Sequence, residues 1–188
     1  MSDAQESIGS KNISSSSRNA SVTNASSKGS SSSSGGGSDS TSANIKTAGK
    51  GAAKAYYIKT GKGTVRYDTP DLDTKAVAIV VPSKVKIGKK EYKVTAISAK
   101  AFDGYDKLRS VTIGKNVKKI GKSAFAGCRK LKTITIQSKK LTKKNIKYSL
   151  KDSYIKTVRV PSGMAEKYKK IFKKKNVGSK YKITIKEK

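Results

Sequence analysis

Few residues in this chain of 188 are equipped for covalent or metal chemistry, and their spacing narrows the choice further. There is no histidine, so Ser-His-Asp relays, Cys-His nucleophiles and imidazole metal sites have no basis. The single cysteine, Cys128, precedes Arg129 and Lys130, and neighbouring positive charge favours a reactive thiolate. Its equivalence to Tyr105 in a repeated pattern argues instead for a buried packing side chain. One cysteine also excludes an internal disulfide. Asp71 and Asp73, with Asp68 close by, offer oxygens to calcium, but carboxylates beside Pro70 serve more simply as turn formers. Gly61-Lys62-Gly63 and Gly114-Lys115 fall short of a phosphate-loop frame, and the acids form no recognisable catalytic pair. Asn12, Asn19 and Asn24 open Asn-x-Ser triplets, which a serine-rich stretch produces by chance. We therefore expect no enzyme, no cofactor and no metal site.

Charge is the chemistry that remains. Lys and Arg number 43 against 12 Asp and Glu, for a net charge of +31. Residues 1–54 hold little of it, so the folded part carries a field that attracts polyanions in a salt-dependent way. Only Arg18, Arg66, Arg109, Arg129 and Arg159 are arginine. Nucleic-acid readers lean on the arginine fork, which makes nucleic acid the less favoured partner and a delocalised anionic polymer the better one. Lys169, Lys170, Lys173, Lys174 and Lys175 are the candidate polyanion contacts.

The elements that must position these groups repeat. Val94, Ile97, Ala101, Phe102, Gly104, Leu108, Val111 and Ile113 recur as Val117, Ile120, Ala124, Phe125, Gly127, Leu131, Ile134 and Ile136, each 23 residues later. A period in the twenties with a Leu-x-x-Val/Ile-x-Ile strand signature marks a solenoid of the leucine-rich type. Within each repeat, a short extended step leads to a tight Ala-Phe turn and then to the main strand. Alternation turns Val111, Ile113, Ile134 and Ile136 inward, so Ser110, Thr112, Thr133 and Thr135 face outward. Thr157-Val-Arg159-Val160 repeats the strand once more after an eroded turn, extending a candidate ligand-facing ladder of Ser110, Thr112, Thr133, Thr135, Thr157 and Arg159.

The flanks read as covers and a tail. Residues 1–54, with Ser14 to Ser17 and Ser30 to Gly37, have the composition of a disordered Ser/Gly-rich tether. Residues 55–188 form the repeat domain: 55–93 an N-terminal cap and partial repeat, 94–160 the repeats, and 161–188 a C-terminal cap. The first cap pairs strands at Ala55 to Ile58 and Thr64 to Tyr67, followed by a loop from Asp68 to Asp73 and a hairpin at Val85 to Val94 turning at Gly88. Met164, Tyr168, Ile171 and Phe172 predict one amphipathic capping helix that carries the lysine runs, and Tyr181 to Ile185 a last strand. The longest apolar stretch, Ala76 to Pro82, is far short of a membrane span, and Met1 to Glu6 lacks the pattern of a signal peptide, so either the protein is intracellular or this chain has lost its export signal.

The run from Ile120 to Leu131, with its following strand, resembles the BspA-like leucine-rich repeat family of bacterial surface proteins. Ala101-Phe102, Ala124-Phe125, Gly127-Cys128 and Leu131 match the family's core positions. The resemblance implies a noncatalytic, extracellular or cell-surface adhesion module that binds proteins or glycans of a host or neighbouring cell, to which the lysine charge adds an anionic cell-wall polymer. A basic nucleic-acid-binding protein and an inert spacer in a longer surface protein are the alternatives.

Overall fold

The computed structural model describes residues 44–47, 55–70 and 76–188. The serine runs, Asn12, Asn19, Asn24, Asp71 and Asp73 lie outside the described residues. So does the expected tether, except for strand β1 (Asn44–Thr47), which pairs antiparallel with β2 (Ala55–Gly61).

Strand β2 turns at Lys62-Gly63 into β3 (Thr64–Pro70), its antiparallel partner. The part of the expected loop from Asp68 to Pro70 is thus strand, and Asp71 to Asp73 lie outside the described residues. Asp68 sits within β3, where its carboxylate accepts a 2.6 Å hydrogen bond from the Ser98 hydroxyl, which anchors it to the next coil. After β4 (Ala78–Val81) comes the predicted hairpin of β5 (Lys84–Ile87) and β6 (Lys90–Ile97), with Gly88 at φ 58° in its turn and Lys84 paired to Glu91 at 2.7 Å.

From β6 onward the chain coils. The second half of β6 lies parallel to β3 on one side and to the short β8 (Lys119–Ile120) on the other. The main strands of successive coils form a second, wholly parallel sheet in the order β11-β10-β9-β7-β4. Its members are β4, β7 (Ser110–Ile113), β9 (Thr133–Ile136), β10 (Thr157–Val160) and β11 (Thr184–Glu187). In register, Ile79, Val111, Ile134, Val158 and Ile185 form one inward row and Val81, Ile113, Ile136, Val160 and Glu187 the other. Each inward row is apolar until β11, where it ends on half-buried Ile185 and exposed Glu187. A solenoid must change character in this way at its last unit, because a further apolar row would lie open to water.

The last strand begins three residues later than alternation predicts, because its register is set by β10: the Thr184 N–H donates to the Lys156 carbonyl at 2.8 Å. The expected capping helix is also divided. Helix α1 (Ala165–Ile171) ends at Phe172, Lys173 is extended at φ −60° and ψ 137°, and α2 (Lys174–Val177) follows. The Asn176 side-chain amide donates to the Ile171 carbonyl at 2.7 Å. It thereby supplies a donor to one of the carbonyls that a helix end leaves orphaned.

The turn region stacks aromatic rings. Tyr57 meets Tyr67 edge-on at 5.5 Å, Tyr67 stacks on Phe102 at 5.6 Å, and Phe102 on Phe125 at 5.2 Å with planes 4° apart. All four are buried. The eroded coil continues the column with buried Leu150, whose N–H bonds to the Val177 carbonyl, as the Phe102 N–H bonds to that of Ala124.

Two substitutions within this column should differ sharply in their effect on stability. Phe125→Ala removes a fully enclosed ring and should cost ~3–5 kcal/mol. Tyr67→Phe deletes a buried hydroxyl that has no hydrogen-bond partner, and should leave stability unchanged or raise it by up to ~1–3 kcal/mol. Urea melts of both variants measure this; an unchanged midpoint for Phe125→Ala would remove the ring from the core.

Candidate functional site

The parallel sheet turns two outward rows to solvent, and the register fixes their membership. One row is Ala78, Ser110, Thr133, Thr157 and Thr184; the other is Val80, Thr112, Thr135, Arg159 and Lys186. All six residues of the ladder expected from sequence lie on these rows. Ser110 and Arg159 are exposed, while Thr112, Thr133, Thr135 and Thr157 are half-buried between their neighbours. Neighbouring strands lie about 4.8 Å apart, so each row presents a side chain at that interval.

The ends of the rows were missed by sequence reasoning. Ala78 and Val80 sit on a strand preceding the regular repeats, and Thr184 and Lys186 on one following them; the signal available was the Ile-x-Val and Thr-x-Lys alternation around the inward positions. With these ends included the face is graded. It is apolar at β4, where Val80 and, just before the strand, Val77 are 47% and 53% exposed, hydroxyl-bearing across β7 and β9, and cationic at Arg159 and Lys186. Such a face offers methyl groups, hydroxyl donors and acceptors, and cations in sequence, which suits recognition by a surface rather than enclosure of a small molecule.

The five candidate lysines are not gathered on one helix. Lys169 and Lys170 occupy the last turn of α1, where positive charge meets the negative end of the helix dipole. The Lys169 ammonium lies 2.6 Å from the Glu166 carboxylate, a hydrogen-bonded pair that raises the pKa of the lysine and lowers that of the acid. Lys173, Lys174 and Lys175, beyond the break, rim a shallow hollow with Gly178 and Ser179. Gly178 closes α2 at φ 71°, donating to the Lys174 carbonyl.

Cys128 is enclosed, and its thiol donates to the Phe102 carbonyl at 3.0 Å. Burial pushes its pKa up to about 12, with the Asp103 carboxylate adding to the rise. The packing reading of this residue fits its surroundings, and the flanking Arg129 and Lys130 are exposed. Among the described residues no cluster of acids and thiols could hold a metal ion, and no helix is long and apolar enough to cross a membrane.

Comparison with known proteins returns one kind of repeat. The family model described as the BspA type leucine rich repeat region matches residues 83–187 in six copies. Among solved structures, a leucine rich cell surface protein from Faecalibacterium prausnitzii A2-165 is 22% identical over 71% of this chain and 30% of its own, with a TM-score of 0.42. A leucine-rich repeat protein from Bacteroides capillosus ATCC 29799 is 18% identical over 71% of this chain and 94% of its own, with a TM-score of 0.46. One from Bacteroides ovatus ATCC 8483 is 19% identical over 70% and 35%, with a TM-score of 0.44. No curated protein matches the chain.

The Cys128 environment generates a direct test. A thiol with its pKa near 12 is almost wholly protonated at neutral pH, and the thiolate is the reacting form. Iodoacetamide at pH 7.5 should therefore leave the folded chain unmodified by mass spectrometry and alkylate it only in denaturant. Rapid alkylation of the native protein would contradict the burial.

Proposed function

The chain belongs to the BspA-type leucine-rich repeat family, and from that membership we propose that it is a noncatalytic binding module of a bacterial surface or secreted protein, used for adhesion. The observation that carries the proposal is the graded outer face of the parallel sheet. Across β7, β9 and β10 its hydroxyl rows are rigid, because each side chain is fixed to a strand bonded on both sides, and a preorganised surface loses little entropy on binding a partner. A protein or glycan of a host or neighbouring cell is the partner proposed for this face.

A second contact is proposed for the basic C-terminal end. Lys173, Lys174 and Lys175 around one hollow support attraction to an anionic wall polymer. Lysine ammoniums act there as point charges, without the directional fork of arginine.

The two contacts separate experimentally. Thr112→Lys combined with Thr135→Lys adds bulk and charge to the middle of the ladder, and should weaken adhesion of protein-coated beads to cultured epithelial cells by at least about tenfold, a loss of ~1.4 kcal/mol. Polyanion binding should be unchanged or stronger in that variant. Changing Lys169, Lys170, Lys173, Lys174 and Lys175 to Gln should flatten the salt dependence of binding to poly(glycerol phosphate) by about 0.7–0.9 in log-log slope per contacting lysine. Undiminished adhesion in the first variant rejects the ladder; an unchanged slope in the second rejects the wall contact; and strong sequence preference among DNA duplexes replaces both with nucleic-acid recognition.

A further inference from the structure

On the other sheet the coils enclose a cleft of about 480 Å³ that the adhesion reading leaves unused. Its origin lies in one register row. Arg66 on β3, Ala96 on β6 and Lys119 on β8 are aligned neighbours across three parallel strands. A methyl group between two long basic side chains leaves a gap, and the floor continues through Ser98, Ala99 and Gly121, all small. Gly121 is held small by packing: a Cβ there would stand 2.3 Å from the Ala99 nitrogen of the preceding coil. Lys122 completes the middle of the cleft, and the next coil supplies the far wall with Lys144 and Lys147.

Five basic residues therefore line one concavity, and no carboxylate lines it among the described residues. Asp68, two residues along β3 from Arg66, is not in the lining and is engaged by Ser98. Lys147 is steadied over the Tyr148 ring, its ammonium 5.2 Å from the centroid. The Arg66 Nε is enclosed and has no hydrogen-bond partner in the folded chain. A guanidinium with an unspent donor, set in a concave cationic field, fits the paired oxygens of a tetrahedral anion, since its N–H groups form a planar fork. A concave site with one sign of charge also focuses the field beyond what the same lysines produce on a convex surface.

We propose that this cleft binds a phosphate or sulfate ester group, with Arg66 as the directional contact and Lys119, Lys122, Lys144 and Lys147 supplying the field. The site is independent of the hydroxyl ladder and of the C-terminal lysines, and stands whether or not either of those binds a partner.

The test is an NMR titration of the isotope-labelled full chain with glycerol 3-phosphate, glucose 6-sulfate and acetate. Saturable shifts confined to the amides of 96–99, 121 and 122 are expected for the two esters, with acetate much weaker. Arg66→Gln should weaken ester binding at least tenfold, and Lys119→Gln with Lys122→Gln similarly, while Lys173, Lys174 and Lys175 changed to Gln should alter it less than twofold. The exposed lysine pair serves as the decisive variant if Arg66→Gln does not fold. The tighter of the two esters identifies the source as a phosphorylated or a sulfated compound. Shifts scattered over the lysine surface, equal loss in the C-terminal variant, acetate binding as tightly as the esters, or no shift at millimolar ester would each overturn the site.

Discussion

Every coil of this solenoid leans on the backbone of the coil before it. The Gly121 N–H donates to the Ile97 carbonyl at 2.9 Å, the Gln137 N–H to that of Ile113 at 2.9 Å, and the Lys118 N–H to that of Thr95 at 2.7 Å. Where the two backbones run closest there is no room for a side chain, as at Gly114 against Ser83 and Gly121 against Ala99. These bonds and close approaches hold the coils at the spacing of paired strands. Inward residues are then forced into rows that fill the core, and outward residues into rows that face water. The aromatic column, the hydroxyl ladder and the basic cleft are three results of that single spacing. None would exist in an isolated coil, which could not bury its own apolar side.

The regular part of this architecture was legible because its signals are local. Leu-x-x-Val-x-Ile at a fixed offset gives the strand, its alternation gives the faces, and Gly88 gives the hairpin turn. The eroded coil was harder to read because it keeps the backbone path while changing the residues. Ser123 and Gly127 have φ of 53° and 70°; Tyr148 and Asp152 take the corresponding places at 57° and 60°. Glycine adopts that conformation freely and the others at some cost. Backbone contact with the neighbouring coils holds them there: the Ser123 N–H bonds to the Tyr148 carbonyl and the Tyr148 N–H to that of Asn176. Such contacts override the residue preferences from which a sequence is read.

What escaped the sequence was whatever depends on several coils at once. The break between α1 and α2 hinges on Asn176 reaching back to Ile171 and to Lys143, and no helical periodicity encodes that. The ladder's ends on β4 and β11 follow from pairing across strands whose sequences lack the full motif. The cleft draws Arg66, Lys119 and Lys144 from three segments of the chain, and its key residue, Ala96, is informative only as a missing side chain between two long ones. Net charge announced the cations without locating the concavity that concentrates them.

The 23-residue unit also sets how such a protein can change over generations. Tandem duplication of the coil containing β8 and β9 adds one more strand to the parallel sheet, lengthening the outward rows by one side chain each. The Arg66, Ala96 and Lys119 alignment lies upstream of that insertion and survives it. Duplication one coil earlier separates Ala96 from Lys119 and dissolves the alignment. Lys144 and Lys147, one coil further on, are displaced by either duplication, so copy number can drift along one face of the molecule under selection for reach, while the basic cleft depends on its coils staying consecutive.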